Sequence, residues 1–346
     1  MDNITFPTMN YIKTIILFLF ICTLTSCDVK QKPNKNITSD NDTQSAPALN
    51  IPDKVEVNKD KGQIQLPGTH LFVSQPEGFK LLPEMVRLQK SDDVYIHFVE
   101  TFGVSYYEKK PDVMKAFDDA KDLGLIPYLQ KEFKLGDYDA FIIYGADNKP
   151  YLDQIVMMFG DNDFSVMIAC ALIRNDNKSK QQIADALQTI YVDKSAKVDY
   201  ESLSNYTIDL SKSDFKFNRN MSSIFYYTKG GAGDPLNDPF LDQIMVMPLP
   251  AVTYEKRVEF EEDVLPRYAR SGMTPVSEVS RKEVEINGMK GYEITFDTNY
   301  MNKPMKVYIL VTGDNKATIS YTGMANNDID KTFKQIEQIS KTLKSK

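Results

Sequence analysis

Asn148-Lys149-Pro150-Tyr151-Leu152-Asp153-Gln154-Ile155-Val156-Met157-Met158-Phe159-Gly160-Asp161-Asn162 decides the fold, because its pattern returns later in the chain. The second occurrence is Asn302-Lys303-Pro304-Met305-Lys306-Val307-Tyr308-Ile309-Leu310-Val311-Thr312-Gly313-Asp314-Asn315. Each time an Asn-Lys-Pro start leads into an apolar, β-branched run, a Gly-Asp-Asn turn and a second extended run, Phe164 to Ile173 or Ala317 to Tyr321. Two extended runs joined by such a turn predict a hairpin, so the chain holds one hairpin in each half and an internal repeat.

The repeat continues outward. Upstream, Leu135-Gly136-Asp137-Tyr138-Asp139-Ala140-Phe141-Ile142-Ile143 parallels Ile286-Asn287-Gly288-Met289-Lys290-Gly291-Tyr292-Glu293-Ile294, a turn entering a strand. Downstream, Ile183, Leu187, Ile190 and Tyr191 share one helical face, as do Ile329, Phe333, Ile336 and Leu343. A further helix is predicted ahead of the central strands in each half, from Pro111 to Leu123 and from about Tyr254 to Arg270, with Pro266 kinking the last turn. Each half therefore reads as strands, a helix, three antiparallel strands and a closing helix, over 62–199 and 200–346. The fold class is α+β, with two similar domains of an antiparallel β-sheet flanked by α-helices.

The chain of 346 residues is 42% hydrophobic and 26% charged, with 41 Lys and Arg against 48 Asp and Glu, a net charge of −7. That is too polar for a multi-spanning membrane protein. It also lacks the clustered positive charge that phosphate neutralisation requires, so nucleic acid is excluded as a partner. Near the start, Lys13 precedes the apolar run Ile15 to Cys22, which is too short to span a bilayer and reads as the centre of a signal peptide over 1–26. Met9 offers an alternative start to Met1. From Cys27 to residue 61 the chain is rich in Lys, Asn, Asp, Ser and Pro with balanced charge, and is predicted to be a flexible tether.

Two resemblances follow from these residues. Leu24-Thr25-Ser26-Cys27 resembles the bacterial lipoprotein signal, or lipobox. It implies diacylglycerol attachment at Cys27, cleavage before it, and anchorage to a membrane of the cell envelope, the outer membrane being favoured. Only Cys170 would then remain as a free thiol, buried in the run Phe164 to Ile173. The segment Ser74-Gln75-Pro76-Glu77-Gly78-Phe79 resembles the opening turn of PsbP-like and DcrB-like domains, and Asn287-Gly288-Met289-Lys290-Gly291-Tyr292 fits the same plan. In the second half Asp209 to Phe215 replaces the Pro-x-Gly turn. The resemblance implies tandem PsbP-like domains and a non-enzymatic accessory role with an envelope protein partner.

No catalytic signature emerges. His70 and His97 lie in no metal-ligand spacing, and His97, in the strand Val94 to Val99, reads as a structural residue on a sheet face. No G-x-S-x-G, Walker or Rossmann pattern is present, and no catalytic residue, cofactor or metal site is assigned. The loop Gly230 to Pro239, with Asp234, Asn237, Asp238 and Asp242, reads as a long hairpin connection between Ser223–Thr228 and Gln243–Met247, with calcium ligation as the alternative. Glu259, Glu261, Glu262 and Asp263 read as an exposed helix face, Met157, Met158, Met167, Met245, Met247 and Met305 as core filling, and Tyr106-Tyr107 and Tyr226-Tyr227 as exposed phenols at strand ends. Two functional classes stand: a membrane-anchored assembly or binding factor, and a small-ligand receptor or hydrolytic enzyme using an interdomain cleft edged by Glu259 or Asp238.

Overall fold

The structure, a computed structural model, describes residues 49–121, 126–147, 149–200, 203–221 and 223–346. The signal peptide, Cys27 and the tether up to residue 48 lie outside the described residues. No helix among the described residues is long and apolar enough to cross a membrane.

The first half runs through strands β1 (Lys54–Val55), β2 (Gln63–Gln65), β3 (Leu71–Ser74) and β4 (Lys80–Leu82), a 3-10 turn Pro83–Met85, then β5 (Arg87–Ser91) and β6 (Val94–Phe102). Helix α1 (Tyr106–Lys121) follows, then β7 (Ile126–Leu135), β8 (Tyr138–Ala146), β9 (Leu152–Gly160), β10 (Phe164–Ile173), α2 (Asn177–Leu187) and β11 (Tyr191–Val192). The second half holds β12 (Tyr206–Thr207), β13 (Phe215–Met221), β14 (Ile224–Lys229), β15 (Gln243–Pro250), α3 (Tyr254–Arg270), β16 (Ser280–Ile286) and β17 (Met289–Tyr300). It closes with β18 (Lys303–Gly313), β19 (Ala317–Ala325), α4 (Ile329–Ser340) and β20 (Lys344–Ser345).

The fold is α+β, and its two large sheets have one topology. The second is ordered β13-β14-β15-β19-β18-β17-β16, and the first repeats it as β4-β5-β6-β10-β9-β8-β7, extended at the β7 edge by β1. All pairings are antiparallel except β1 with β7. The same helix position follows the third strand, the same helix closes each unit, and the last short strand pairs with an early one, β11 with β3 and β20 with β12. Strand register makes the equivalence residue-specific. Gly160 faces Ser165 as Gly313 faces Thr318, and Gly160 faces Asp139 as Gly313 faces Lys290.

Each sheet is covered on both faces. One face packs with α2 or α4 into a core that runs through both halves, where Ile183 and Ile336 are fully buried at equivalent positions. The other face lies under α1 or α3, through Phe117, Phe141 and Met158 in the first half and Val264, Phe296 and Ile309 in the second. The halves touch where Pro83–Met85 packs on β15 and where Val104 joins Met221, Ile224 and Met247.

Four sequence expectations change. Four antiparallel strands, not three, follow the first helix of each half. The extra ones, β7 and β16, carry mixed charges such as Lys131-Glu132 and Arg281-Lys282-Glu283, because they lie toward the sheet margin with one side open to water. Helix α1 starts earlier than Pro111, at Tyr106, where the Ser105 hydroxyl accepts the Tyr107 N–H at 3.2 Å. The predicted tether through residue 61 is docked over its last part: Leu49 and Ile51 are buried and β1 pairs with β7. Sparse apolar residues there are held by a partner strand rather than by their own clustering. Of the tyrosine pairs, only Tyr107 is exposed, while Tyr106, Tyr226 and Tyr227 are buried.

Candidate functional site

The repeat supplies a control for every position, and most recurring polar residues prove to be ties that hold the fold. In the Gly-Asp-Asn turns, the Asp161 carboxylate accepts N–H groups of Asp163 (2.8 Å) and Phe164 (3.2 Å). Asp314 accepts those of Lys316 (2.8 Å) and Ala317 (3.0 Å). The second oxygen of each reaches the chain segment beyond the closing helix, Lys194 at 2.7 Å from Asp161 and the Ser345 hydroxyl on Asp314. Lys90 on β5 donates to the buried Ser179 hydroxyl of α2 (2.8 Å), and Lys229 on β14 donates to the buried Thr332 hydroxyl of α4.

The loop joining β14 to β15 is spent in the same way. Asp242 is buried, accepts the Asn326 (2.7 Å) and Asn327 (2.9 Å) N–H groups ahead of α4, and pairs with Lys229 at 2.8 Å. Asp234 accepts the Leu236 N–H and the Asn237 side-chain amide, and Asp238 accepts the Phe240 N–H. Asn218 ties the glycine segment down by donating to Gly231 and Gly233 carbonyls, each at 3.0 Å. These carboxylates serve backbone and cation partners of the chain itself. Among the described residues no group of three or more His, Cys, Asp or Glu is placed to hold a metal ion.

The copies diverge on the sheet face beneath the middle helix. In the first half Tyr95 and His97 on β6 and Arg87 on β5 fill it, with the Arg87 guanidinium 4.0 Å from the centroid of the Tyr95 ring and all three buried. Burial, reinforced by the adjacent Arg87 charge, pushes His97 down to about 3, so its ring is neutral at physiological pH. Cys170 is buried on the opposite face, and burial pushes its thiol far up. His70 accompanies neither. It pins the β2-β3-β11 sheet to β6, its Nδ1 3.0 Å from Glu100 and its N–H donating to the same carboxylate.

Register puts Gln243, Met245 and Tyr226 of the second half where the first half has Tyr95, His97 and Arg87. Here the face is not filled. A cavity of about 120 Å³ lies between β13–β15, β18, β19, α3 and the 230–242 loop. Six of its lining residues are Met: 221, 245, 247, 273, 305 and 324. Its polar points are few. Tyr268 donates to Thr322 at 3.2 Å, and burial pushes its phenol up to about 12. The Arg267 guanidinium, in a residue 6% exposed, lies 5.4 Å from the Phe260 ring centroid. Gln243, 5% exposed, donates to the Met324 sulfur at 3.8 Å while its Oε1 has no hydrogen-bond partner.

The cavity lies inside the second half, not between the halves. Glu259 and Asp238 are exposed and do not line it, although their neighbours Phe260 and Pro239 do. Met245, Met247 and Met305 of the predicted core set belong to its wall; Met157 and Met158 fill the first half. Gln243, Arg267 and Tyr268 carry no motif. The repeat itself is the signal that finds Gln243, since register makes it the equivalent of Tyr95. With phenols, the Ser271, Ser320 and Thr322 hydroxyls, one guanidinium, one amide and six thioethers, the wall is suited to holding a small, mostly apolar molecule.

No family model matches the chain, and no curated protein matches it. Among solved structures, a crystal structure from Bacteroides thetaiotaomicron VPI-5482 is similar at 10% identity and a TM-score of 0.29, over 41% of this chain and 45% of that chain, less than half of its length. The T6SS immunity protein TplEi of Pseudomonas aeruginosa complexed with "L" peptide shows 8% identity and a TM-score of 0.26 over 83% of this chain and 99% of that one. The Tle4-Tli4 complex shows 9% identity at the same TM-score and coverage. Likeness at this level carries no argument about function.

Proposed function

We propose that this chain is a lipoprotein of the bacterial cell envelope, cleaved before Cys27 and acylated on it, whose tandem PsbP-like domains act as a non-enzymatic binding or assembly accessory to an envelope protein. The observation that carries the reading is how the duplicated fold spends its polar residues. Those that recur, Asp161 with Asp314, Lys90 with Lys229 and Ser179 with Thr332, are committed to turns and helix docking. A framework kept twice with these charges committed to turns and helix docking suits a protein that presents surfaces rather than one that turns over substrate. Acyl chains on Cys27 confine those surfaces to one membrane, which raises encounter with a neighbouring complex without any new contact.

The test is crosslinking in cells followed by mass spectrometry, comparing the native chain with a Cys27→Ala variant. Release of the variant from the membrane together with loss of a reproducible partner set is the expected result. A variant that stays membrane-bound overturns the anchor, and a native chain that returns no partner overturns the accessory role.

A further inference from the structure

We propose that the cavity under α3 is a binding site for a small neutral aromatic molecule bearing one N–H or O–H donor. This goes beyond the accessory role and does not depend on it. Three observations converge.

The first is that side chains on this face differ between the halves and the second half leaves space there. Where the first half stacks Arg87 on Tyr95 beside His97, the second places Tyr226, Gln243 and Met245, and about 120 Å³ stays open. Protein interiors close-pack, and a void of this size costs stability unless something fills it.

The second is the unsatisfied Gln243 Oε1. A buried carbonyl oxygen without a donor is costly to leave unpaired, and the amide nitrogen of the same side chain meets only a thioether sulfur. An occupant with one donor hydrogen repairs the deficit. The third is the wall. Thioether sulfurs attract aromatic ring edges, and a guanidinium attracts ring faces while repelling a cation. Six Met therefore favour a ring, and Arg267 disfavours a cationic one. A volume of about 120 Å³ suits a small ring system, since an apolar cavity of similar size accepts benzene.

The chain contains no Trp, so indole excited at the red edge of its band, where the 19 Tyr do not absorb, can serve as a fluorescent probe. The full chain as purified is titrated with indole, with its buffer or lipid carrier alone as reference, and then with indene, which has the shape but not the donor. Saturable binding of indole at one site, and binding of indene at least about tenfold weaker, is expected. Gln243→Leu should abolish the indole preference while retaining the cavity, and Gln243→Tyr, which installs the first-half residue, should abolish binding of both. Circular dichroism confirms that each variant is folded, and Gln243→Leu keeps the test decisive where Gln243→Tyr does not fold. No saturable indole binding, equal affinity for indole and indene, or undiminished preference in Gln243→Leu overturns the proposal and leaves the partner-binding role untouched.

Discussion

Asp161 and Asp314 close the same turn in the two halves of the chain, each accepting two backbone N–H groups with one oxygen and a side chain from beyond the closing helix with the other. Each carboxylate thereby staples three parts of its unit: the end of one central strand, the start of the next, and the terminal segment.

Replacing either by Ala should cost about 1–2 kcal/mol in urea unfolding, the value of a lost turn acceptor, and the two losses should add because the sites are distant. Burial raises both carboxyls, but Lys194 or Ser345 and the turn N–H groups outweigh it, so both lie below the ordinary 3.8. A depressed acid stabilises the fold above its unfolded value and loses that contribution as pH falls through the folded one. The variants should therefore lose less stability than the parent on acidification below about pH 4.

Gly160 and Gly313 precede these turns, and a Cβ at either would lie 2.3 Å from the Phe164 carbonyl oxygen or 2.4 Å from that of Ala317. Backbone cannot yield as a side chain does. Gly160→Ala and Gly313→Ala should each cost about 3 kcal/mol or more. Gly62→Ala, with nothing within 4 Å of the added carbon, should be neutral within about 0.5 kcal/mol.

His97 gives the first half a pH dependence that the second lacks. Burial holds its folded value near 3 against 6.5 when free, so between those limits the unfolded chain binds the extra proton. Stability should fall by about 1.4 kcal/mol for each unit of acidification from 6.5 toward 3. His97→Met, which copies the residue at the equivalent Met245 position, should remove this part of the slope when chemical unfolding is followed at several pH values.

Lys90 and Lys229 are equivalent, yet their loss should differ. Lys90 bonds Ser179 and Gln182, whereas Lys229 also neutralises the buried Asp242. Lys229→Met strands a carboxylate and should cost about 3–5 kcal/mol. Lys90→Met should cost about 1 kcal/mol, and differential scanning calorimetry of the pair separates the two figures.

The repeat was legible because Gly-Asp-Asn is a turn whose chemistry lies in its own residues: the Gly avoids a carbonyl and the Asp binds N–H groups two and three positions on. Ile183, Ile336 and the apolar runs of β9, β10, β18 and β19 read correctly because central strands and docking helices carry dense apolar pattern. β7 and β16 were missed because strands with an open side replace that pattern with charge, and β1 because a two-residue strand has no periodicity to detect. The cavity was invisible to motif reading, since a Gln opposite a Tyr gains meaning only when register aligns the copies. Tyr226 and Tyr227 read as exposed because tyrosine tolerates water, but one lines the cavity and the other meets the Tyr206 hydroxyl at 2.9 Å.

In each half the last short strand returns to lie against an early one, β11 on β3 and β20 on β12. Entry and exit of a unit are therefore neighbours, and a unit is a closed cassette. A gene segment encoding such a cassette can be copied in tandem, or its ends joined and reopened elsewhere, without rerouting the chain across either sheet. A circular permutant of one half, opened at an exposed turn and linked across its former ends, is the engineered form of that property.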